Sequence, residues 1–557
     1  MWKYMRTMAP LCVMLAGSVF TAMASVFIAP GTNIQSVVNA NPAGTTFILQ
    51  SGTFRMQSVV PKNGDVFTGQ SGAILNGSTL VSAFSEEVIN GVRYWVADGP
   101  RQPGRTNGTC DSAHPMCMYP EDFLMNSKPL LRVASLSAVT SGACYFDYGA
   151  ARVYFTDSPT GKTVEISTMT DAFSGSASGV VIKGLTIEKY ASPAQDGAIQ
   201  GSGWTIESNT IRLNHGAGIQ LASGQVIVSN YIHHNGQEGL TGGGSNILVE
   251  NNEIAYNNTL GFSFDWEAGG AKFANSTNVT VEGNYVHDNA GPGLSLDYQC
   301  YNWIVQGNRT SRNIGAGIVD EVSYDGIARY NVITNHALYP GKTNPSMWWS
   351  CGIANLASPN ARVYGNTLIN NTNGICAISN SRGSGNRGTF QVQNYSVHDN
   401  VIVQTTGGAA GAVADPGIYM DVYAPSMNNT WTSNTYKLSG TAVGGYTWES
   451  GSKYANLTAP QWQSAHQDLS GTWISSTDSN FPSTRFAPLA AVKAVASTPV
   501  RFLPTATSAI VKTEASGATG TVTQVAGPIL TSAAWWWNVT FSDGTRGWCL
   551  ETSLAPR

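Results

Sequence analysis

Along the middle of the chain, apolar and polar residues alternate in runs too short for helices, and these runs recur. An Asn two residues before an apolar residue stands at positions Asn209, Asn230, Asn252, Asn284, Asn308, Asn331, Asn366 and Asn400. The gaps between them are 21, 22, 32, 24, 23, 35 and 34 residues. The short gaps suit one coil of a β-solenoid, and the long ones are the same coil with an insertion. Five units carry a second Asn five residues on, at Asn214, Asn235, Asn257, Asn289 and Asn313. The same units then show Gly218-Ile219, Gly239-Leu240, Gly261-Phe262, Gly293-Leu294 and Gly317-Ile318. Short strands alternate inward apolar and outward polar side chains. Asn and Gly suit the corners because both tolerate left-handed backbone, and stacked Asn amides bond from coil to coil. The pattern predicts an all-β chain, a right-handed parallel β-helix over residues 25–490.

A solenoid buries each coil only against its neighbours, so its ends need covers. Thr32-Asn33-Ile34-Gln35 reads as a capping box opening a short helix at one end, and Thr458-Ala459-Pro460-Gln461 as another near the far end. Residues 84–172, with Tyr94-Trp95, Tyr145-Phe146 and Val153-Tyr154-Phe155, do not keep the coil length and read as a small inserted β subdomain. Residues 495–557 follow a Pro/Ser/Ala-rich stretch and form a separate unit.

Composition narrows the partners. Only 11% of residues are charged, the net charge is −4 and no basic block occurs, so nucleic acid is excluded as a partner. Lys3 and Arg6, an apolar run to Phe20 and Ala22-Met23-Ala24 read as a signal peptide over residues 1–24. The run is short and no later segment spans a bilayer, so the expected location is secreted, periplasmic or extracellular. Export permits disulfides. Seven cysteines remain after the leader; Cys110 and Cys117 are the first expected pair, and an odd count leaves at least one unpaired. No CxxC or HExxH motif points to a metal, and no cofactor is expected.

The candidate chemistry lies in one column. Counted from the Gly-apolar corners, position four holds Asp265, Asp297 and Glu321 in three successive coils. Stacked strands lie about 4.8 Å apart, so these carboxylates are expected in one file on an outer face. Asp320 is expected to point inward unless a bulge exchanges it with Glu321. Three like charges in line raise one another's pKa, which needs a cation, a proton or a function to offset it. Trp266, Glu267 and Lys272 follow Asp265; His287 precedes Asp297; Tyr298 and Tyr324 flank the acids; and a later insertion brings Tyr339, Trp348 and Trp349. Aromatic faces near carboxylates suit a glycan groove, so the expected partner is an oligo- or polysaccharide. Asp297 and Glu321 on adjacent coils match the roughly 5 Å of a retaining glycosidase; Asp265 and Glu321, two coils apart, match an inverting one.

The run Glu267-Ala268-Gly269-Gly270-Ala271-Lys272-Phe273, then Val286-His287-Asp288-Asn289 with Gly291-Pro292-Gly293-Leu294 leading to Asp297, then Gly317-Ile318 leading to Glu321, resembles β-helix glycoside hydrolases of family 120. The resemblance spans residues 261–325 and implies Glu267 as assisting acid, Asp297 as nucleophile and Glu321 as acid/base. Ser295 and Leu296 depart from the bulkier aromatic expected before the nucleophile. At the other end, Val500-Arg501, Gly520-Thr521-Val522, Trp535-Trp536-Trp537 and Gly544-Thr545-Arg546-Gly547-Trp548-Cys549 resemble a bacterial SH3-like barrel. That likeness implies binding to a cell-wall or surface polymer, or a purely stabilising appendage.

The same residues leave two alternatives open. A polysaccharide lyase would hold Ca²⁺ in the acidic file and use Lys272, Arg309 or Arg329 on an acidic sugar. A non-catalytic glycan-binding surface protein would cleave nothing.

Overall fold

The computed structural model describes residues 25–337, 350–414, 420–448, 457–525 and 527–557. The expected signal peptide falls outside these residues.

Triplets with a single inward apolar residue form the strands. In Thr205–Glu207 and Thr210–Arg212 the central Ile is buried and both flanking residues are half-exposed. Each coil passes in turn through three parallel sheets. Sheet A contains Thr205–Glu207, Val226–Val228, Ser245–Glu250 and Thr277–Glu282; sheet B contains Thr210–Arg212, Tyr231–His233, Glu253–Ala255 and Tyr285–His287. Sheet C contains Ala217–Leu221, Glu238–Gly242, Gly269–Phe273, Leu294–Asp297 and Ile318–Glu321. Among the described residues, sheets A and B have 13 strands each and sheet C has 11. Register stacks like on like: Ile206 on Ile227, Ile211 on Ile232 and Ile219 on Leu240. One apolar core runs the length of the coil from Ile28 to Trp462.

The asparagine columns stand at the corners. From Asn209 to Asn400, each Nδ2 donates to the Oδ1 of the next Asn at 2.9–3.1 Å, along the A–B corner. Asn214, Asn235, Asn257, Asn289 and Asn313 repeat this at the B–C corner. The columns do not themselves adopt left-handed backbone, contrary to expectation. The residue before each does so, as at Ser208, Ser229, Asn251, Leu213, His234 and Tyr256. The Asn is selected for its amide, which satisfies buried backbone groups of the flanking coils.

Helix Ile34–Ala40 lies at the first end of the coil, capped by Asn33, whose side chain accepts the Ser36 N–H at 2.8 Å; the cap is one residue beyond the expected Thr32. At the far end helix Ala459–Ser464 begins in the Thr458–Gln461 capping box, and its Trp462 is buried against Trp431, Tyr446 and Trp448. No helix among the described residues is long and apolar enough to cross a membrane.

Two units stand outside the coil. Strands from Ser78 to Ser167 form two small sheets, and the ladder resumes where Val181–Lys183 pairs with Val66–Gly69. Ala491–Pro556 folds into an antiparallel sheet with its own core of Val492, Val500, Trp537 and Val539. This unit docks on the coil through Ile529, Trp536 and Trp548, packed on Tyr330 and Val332. Disulfides join Cys110 to Cys117 and Cys351 to Cys376; Cys144, Cys300 and Cys549 are free and buried.

Candidate active site

Sheet C builds the site. In strand Leu294–Asp297, Leu294 and Leu296 are buried in the core, while Asp297 faces out. Asp297 stands in direct parallel register with Glu321, and Leu296 with Asp320. Adjacent strands are about 4.8 Å apart, which sets the two outward carboxylates side by side. Asp320 takes the inward position with 3% exposure, and neither of its carboxylate oxygens has a hydrogen-bond partner. No bulge exchanges it with Glu321.

One rung earlier, Lys272 stands opposite Ser295. Its Nζ lies 2.6 Å from Asp297 Oδ2 and 2.7 Å from Glu267 Oε2, bridging both carboxylates. Arg382, on the segment after strand Asn373–Ser379, places Nη1 2.6 Å from Glu321 Oε1. Each acid of the pair therefore has its own cation.

Glu267 arrives on an insertion rather than on a strand. The segment between Ala255 and Gly269 leaves the coil and carries Phe264, Asp265, Trp266 and Glu267 to the edge of the cavity. Gln237 Nε2 donates to the Glu267 carbonyl at 3.1 Å, and the Glu267 N–H to the Ser263 carbonyl at 3.1 Å. The disulfide loop clips this insertion from outside: Asp111 N–H donates to the Gly261 carbonyl and Ser263 N–H to the Thr109 carbonyl, both at 2.8 Å. Gly261 has φ +71°, and a Cβ there would lie 2.1 Å from the His114 ring. Only glycine fits beneath the clip.

The cavity measures about 300 Å³. Its ionisable lining is Glu238, Asp265, Glu267, Lys272, Asp297, Glu321 and Arg382, with Phe264, Trp266 and Leu356 among the apolar walls. Burial, reinforced by Asp297, raises the Glu321 pKa, and Arg382 opposes the rise. Burial likewise raises Glu267, with Lys272 opposing and Asp297 adding to the rise. Burial works against the Lys272 charge, but Asp297 and Glu267 outweigh it and hold the ammonium above its ordinary range. Among the described residues, no group of three or more His, Cys, Asp or Glu side chains is arranged to hold a metal ion.

Several sequence expectations need correction. Asp265 is not in the file, because the corner of its coil is Gly270-Ala271, not Gly261-Phe262: Ala271 pairs with Leu240 and Leu294. The file holds Asp297 and Glu321, and Asp265 reaches the same cavity from the insertion. His287 belongs to sheet B, buried and held by Asp288 at 2.6 Å and Glu253 at 3.2 Å, away from the cavity. Tyr324 is buried against Phe390, and its hydroxyl donates to the Gly388 carbonyl at 2.9 Å, so it anchors a loop. Tyr298 is 50% exposed at the turn after Asp297 and does not line the cavity. Arg309 lies over the Tyr285 ring on sheet B, and Arg329 bonds Gln306 and Tyr364, so neither reaches sheet C. Tyr339, Trp348 and Trp349 lie outside the described residues. Glu238, Phe264 and Arg382 were not anticipated. Glu238 precedes its corner glycine, and Arg382 sits on a segment without coil periodicity.

Comparison with known proteins supports the fold. A family described as right handed beta helix region matches residues 198–368. A solved structure, the complex of XylC with xylose, is similar at 15% identity and a TM-score of 0.57, covering 74% of this chain and 83% of its own. The fold is a right-handed parallel β-helix. Other solved structures are similar at lower scores. The A-module of the Azotobacter vinelandii mannuronan C-5 epimerase AlgE4 has 12% identity and a TM-score of 0.43, covering 79% of this chain and 92% of its own. A mannuronic acid specific polysaccharide family 6 lyase from human gut microbiota has 8% identity and a TM-score of 0.40, covering 83% and 88%. No curated protein matches the chain.

Proposed function

We propose that this protein is an exported carbohydrate-active enzyme, a retaining glycoside hydrolase acting on a neutral plant or microbial glycan. The supporting observation is the direct register of Asp297 and Glu321, each with its own cation. Carboxyl groups about 5 Å apart suit a two-step displacement. Asp297 attacks the anomeric carbon while Glu321 gives its proton to the departing glycosidic oxygen. The deprotonated Glu321 then takes a proton from water, which displaces Asp297 and restores both groups. The Lys272 ammonium lies on Asp297, the proposed nucleophile, and burial beside Asp297 raises the Glu321 pKa in the direction an acid catalyst needs, the division of roles that two neighbouring carboxylates require. Glu267, tied to the same Lys272, assists at the sugar.

The charges of the cavity favour a hydrolase over a lyase. Lys272 and Arg382 are already paired with carboxylates, which leaves neither to neutralise a uronate. The Lys272 ammonium also fills the place between Glu267 and Asp297 where a bridging Ca²⁺ would sit.

The test is digestion of a glycan library by the purified protein without its leader, starting from xylose-containing oligosaccharides because the XylC structure holds xylose. The expected product keeps the anomeric configuration of its substrate, and Asp297→Asn and Glu321→Gln lower kcat by roughly 10³-fold or more. Unsaturated, ultraviolet-absorbing products lost with a chelator would establish a lyase. Full turnover by both variants, or no cleavage of any glycan, would overturn catalysis by this pair.

A further inference from the structure

Glu238 lies in the same cavity and takes no part in the displacement described above. It opens strand Glu238–Gly242, immediately before the corner glycine Gly239, and its register neighbours are Ala217 and Gly269. Neither neighbour has a side chain beyond Cβ, which leaves Glu238 room at the cavity wall. The residue is 1% exposed, and its Oε2 is buried with no hydrogen-bond partner. A buried carboxyl oxygen without a partner is costly, and such atoms in native structures are few and call for an explanation, a functional role among them.

The surroundings decide its charge. Glu267 on the insertion and Asp297 on strand Leu294–Asp297 repel a negative charge there, and Lys272 on strand Gly269–Phe273 is already shared by those two acids. Strand Ala217–Leu221 contributes no ionisable side chain. Burial, then Glu267, push the carboxyl up to about 8; Asp297 adds to this, while the Thr241 hydroxyl and Lys272 oppose it. At neutral pH Glu238 is a carboxylic acid, with one O–H to donate and a carbonyl oxygen to accept.

We propose that Glu238 is a specificity residue, an uncharged carboxylic acid that hydrogen-bonds a hydroxyl group of a neutral sugar in the cavity. The inference rests on the carbohydrate reading of this site and adds a residue that selects substrate without touching the bond being broken. A site built to pair a hydroxyl discriminates strongly against sugars lacking one there, because the buried acid is then left unpaired.

The experiment measures binding, so that it stands apart from turnover. Calorimetric titration of the full protein with xylose, glucose, galactose and arabinose is run at about pH 7 and about pH 9.5, on either side of the Glu238 transition. Wild type is expected to bind at least one sugar and to lose about tenfold in affinity at the higher pH. Glu238→Gln keeps a donor and an acceptor without a titrating proton; it is expected to bind within about threefold of wild type at pH 7 and to lose no more on raising the pH. Glu238→Ala is expected to lose about tenfold at pH 7. Identical affinities and pH profiles for all three proteins overturn the proposal, as does failure of wild type to bind any of the four sugars. Thermal unfolding of each variant separates a loss of fold from a loss of binding. The hydrolase mechanism fails on a different result, retained turnover by Asp297→Asn.

Discussion

Burial and Asp297 raise the Glu321 pKa, and Arg382 opposes the rise. Removing that guanidinium raises the Glu321 pKa. Arg382→Ala is therefore expected to move the alkaline limb of the kcat/KM profile to higher pH, where Glu321 is lost as an acid; a limb that stays in place or moves down contradicts the assignment. Asp320, its neighbour on the inner face, is a liability of stability. Burial raises its pKa from 3.8 to about 8, so the folded state holds a proton that the unfolded chain has released. Stability from this group falls as pH rises from about 4 and is lowest above about pH 8. Asp320→Asn should raise the unfolding temperature, by an increment that is larger at pH 8 than at pH 4. Asp297 and Glu321 were legible because their glycine corners, Gly293 and Gly317, are spaced as coils. Asp265 was misplaced because Gly261-Phe262 imitates a corner nine residues after Asn252, while the real corner, Gly270, comes eighteen after it. Chain periodicity does not separate two such candidates; the register of the neighbouring strands does.

At the level of the element, the corners do more than turn the chain. Asn284 Oδ1 accepts both the N–H and Nδ2 of Asn252, and its own Nδ2 donates to Val249, Glu282 and Asn308. Asn284→Ala leaves several of these buried groups unpaired and is expected to cost about 2–4 kcal/mol, read from a denaturant midpoint at constant slope. Asn284→Asp should cost a similar amount, because an acceptor would then face the Asn308 oxygen. The columns were readable from spacing alone, since every coil repeats them. The clip over the 256–268 insertion was not, because its contacts join Thr109, Asp111 and His114 to Gly261 and Ser263 across some 150 residues with no repeat between them. The pairing of Cys351 with Cys376 escaped notice for a related reason. The two cysteines lie one coil apart in a region where an insertion hides the coil length.

Across the whole molecule, the C-terminal unit lies over the side of the coil formed by sheets A and B, against Glu250, Glu282, Gln306 and Tyr330. The candidate site belongs to sheet C. Removing residues 488–557 should therefore leave kcat/KM on a soluble oligosaccharide within about twofold, while exposing Tyr330, Val332 and Tyr364 and increasing the binding of a hydrophobic dye. Loss of turnover in the truncated protein, with its unfolding temperature unchanged, would show that the unit contributes to the site. Breaks in the coil rhythm marked this unit and the inserted strands as separate, but the surfaces on which they rest follow no period.

The ladder itself constrains how this chemistry can change. Asp297 and Glu321 hang from consecutive rungs, and the backbone bonds between those rungs set their separation. Exchanging Asp for Glu shifts a carboxyl by only about one methylene along its own side chain; a change of several ångströms takes a whole rung. The next rung offers Leu356 in register with Glu321. A carboxyl moved there would stand about 9.6 Å from Asp297, wide enough to admit a water between them, which is the arrangement for inversion. A scaffold of this kind turns stereochemical outcome into a digital choice, made by which rung bears the acid.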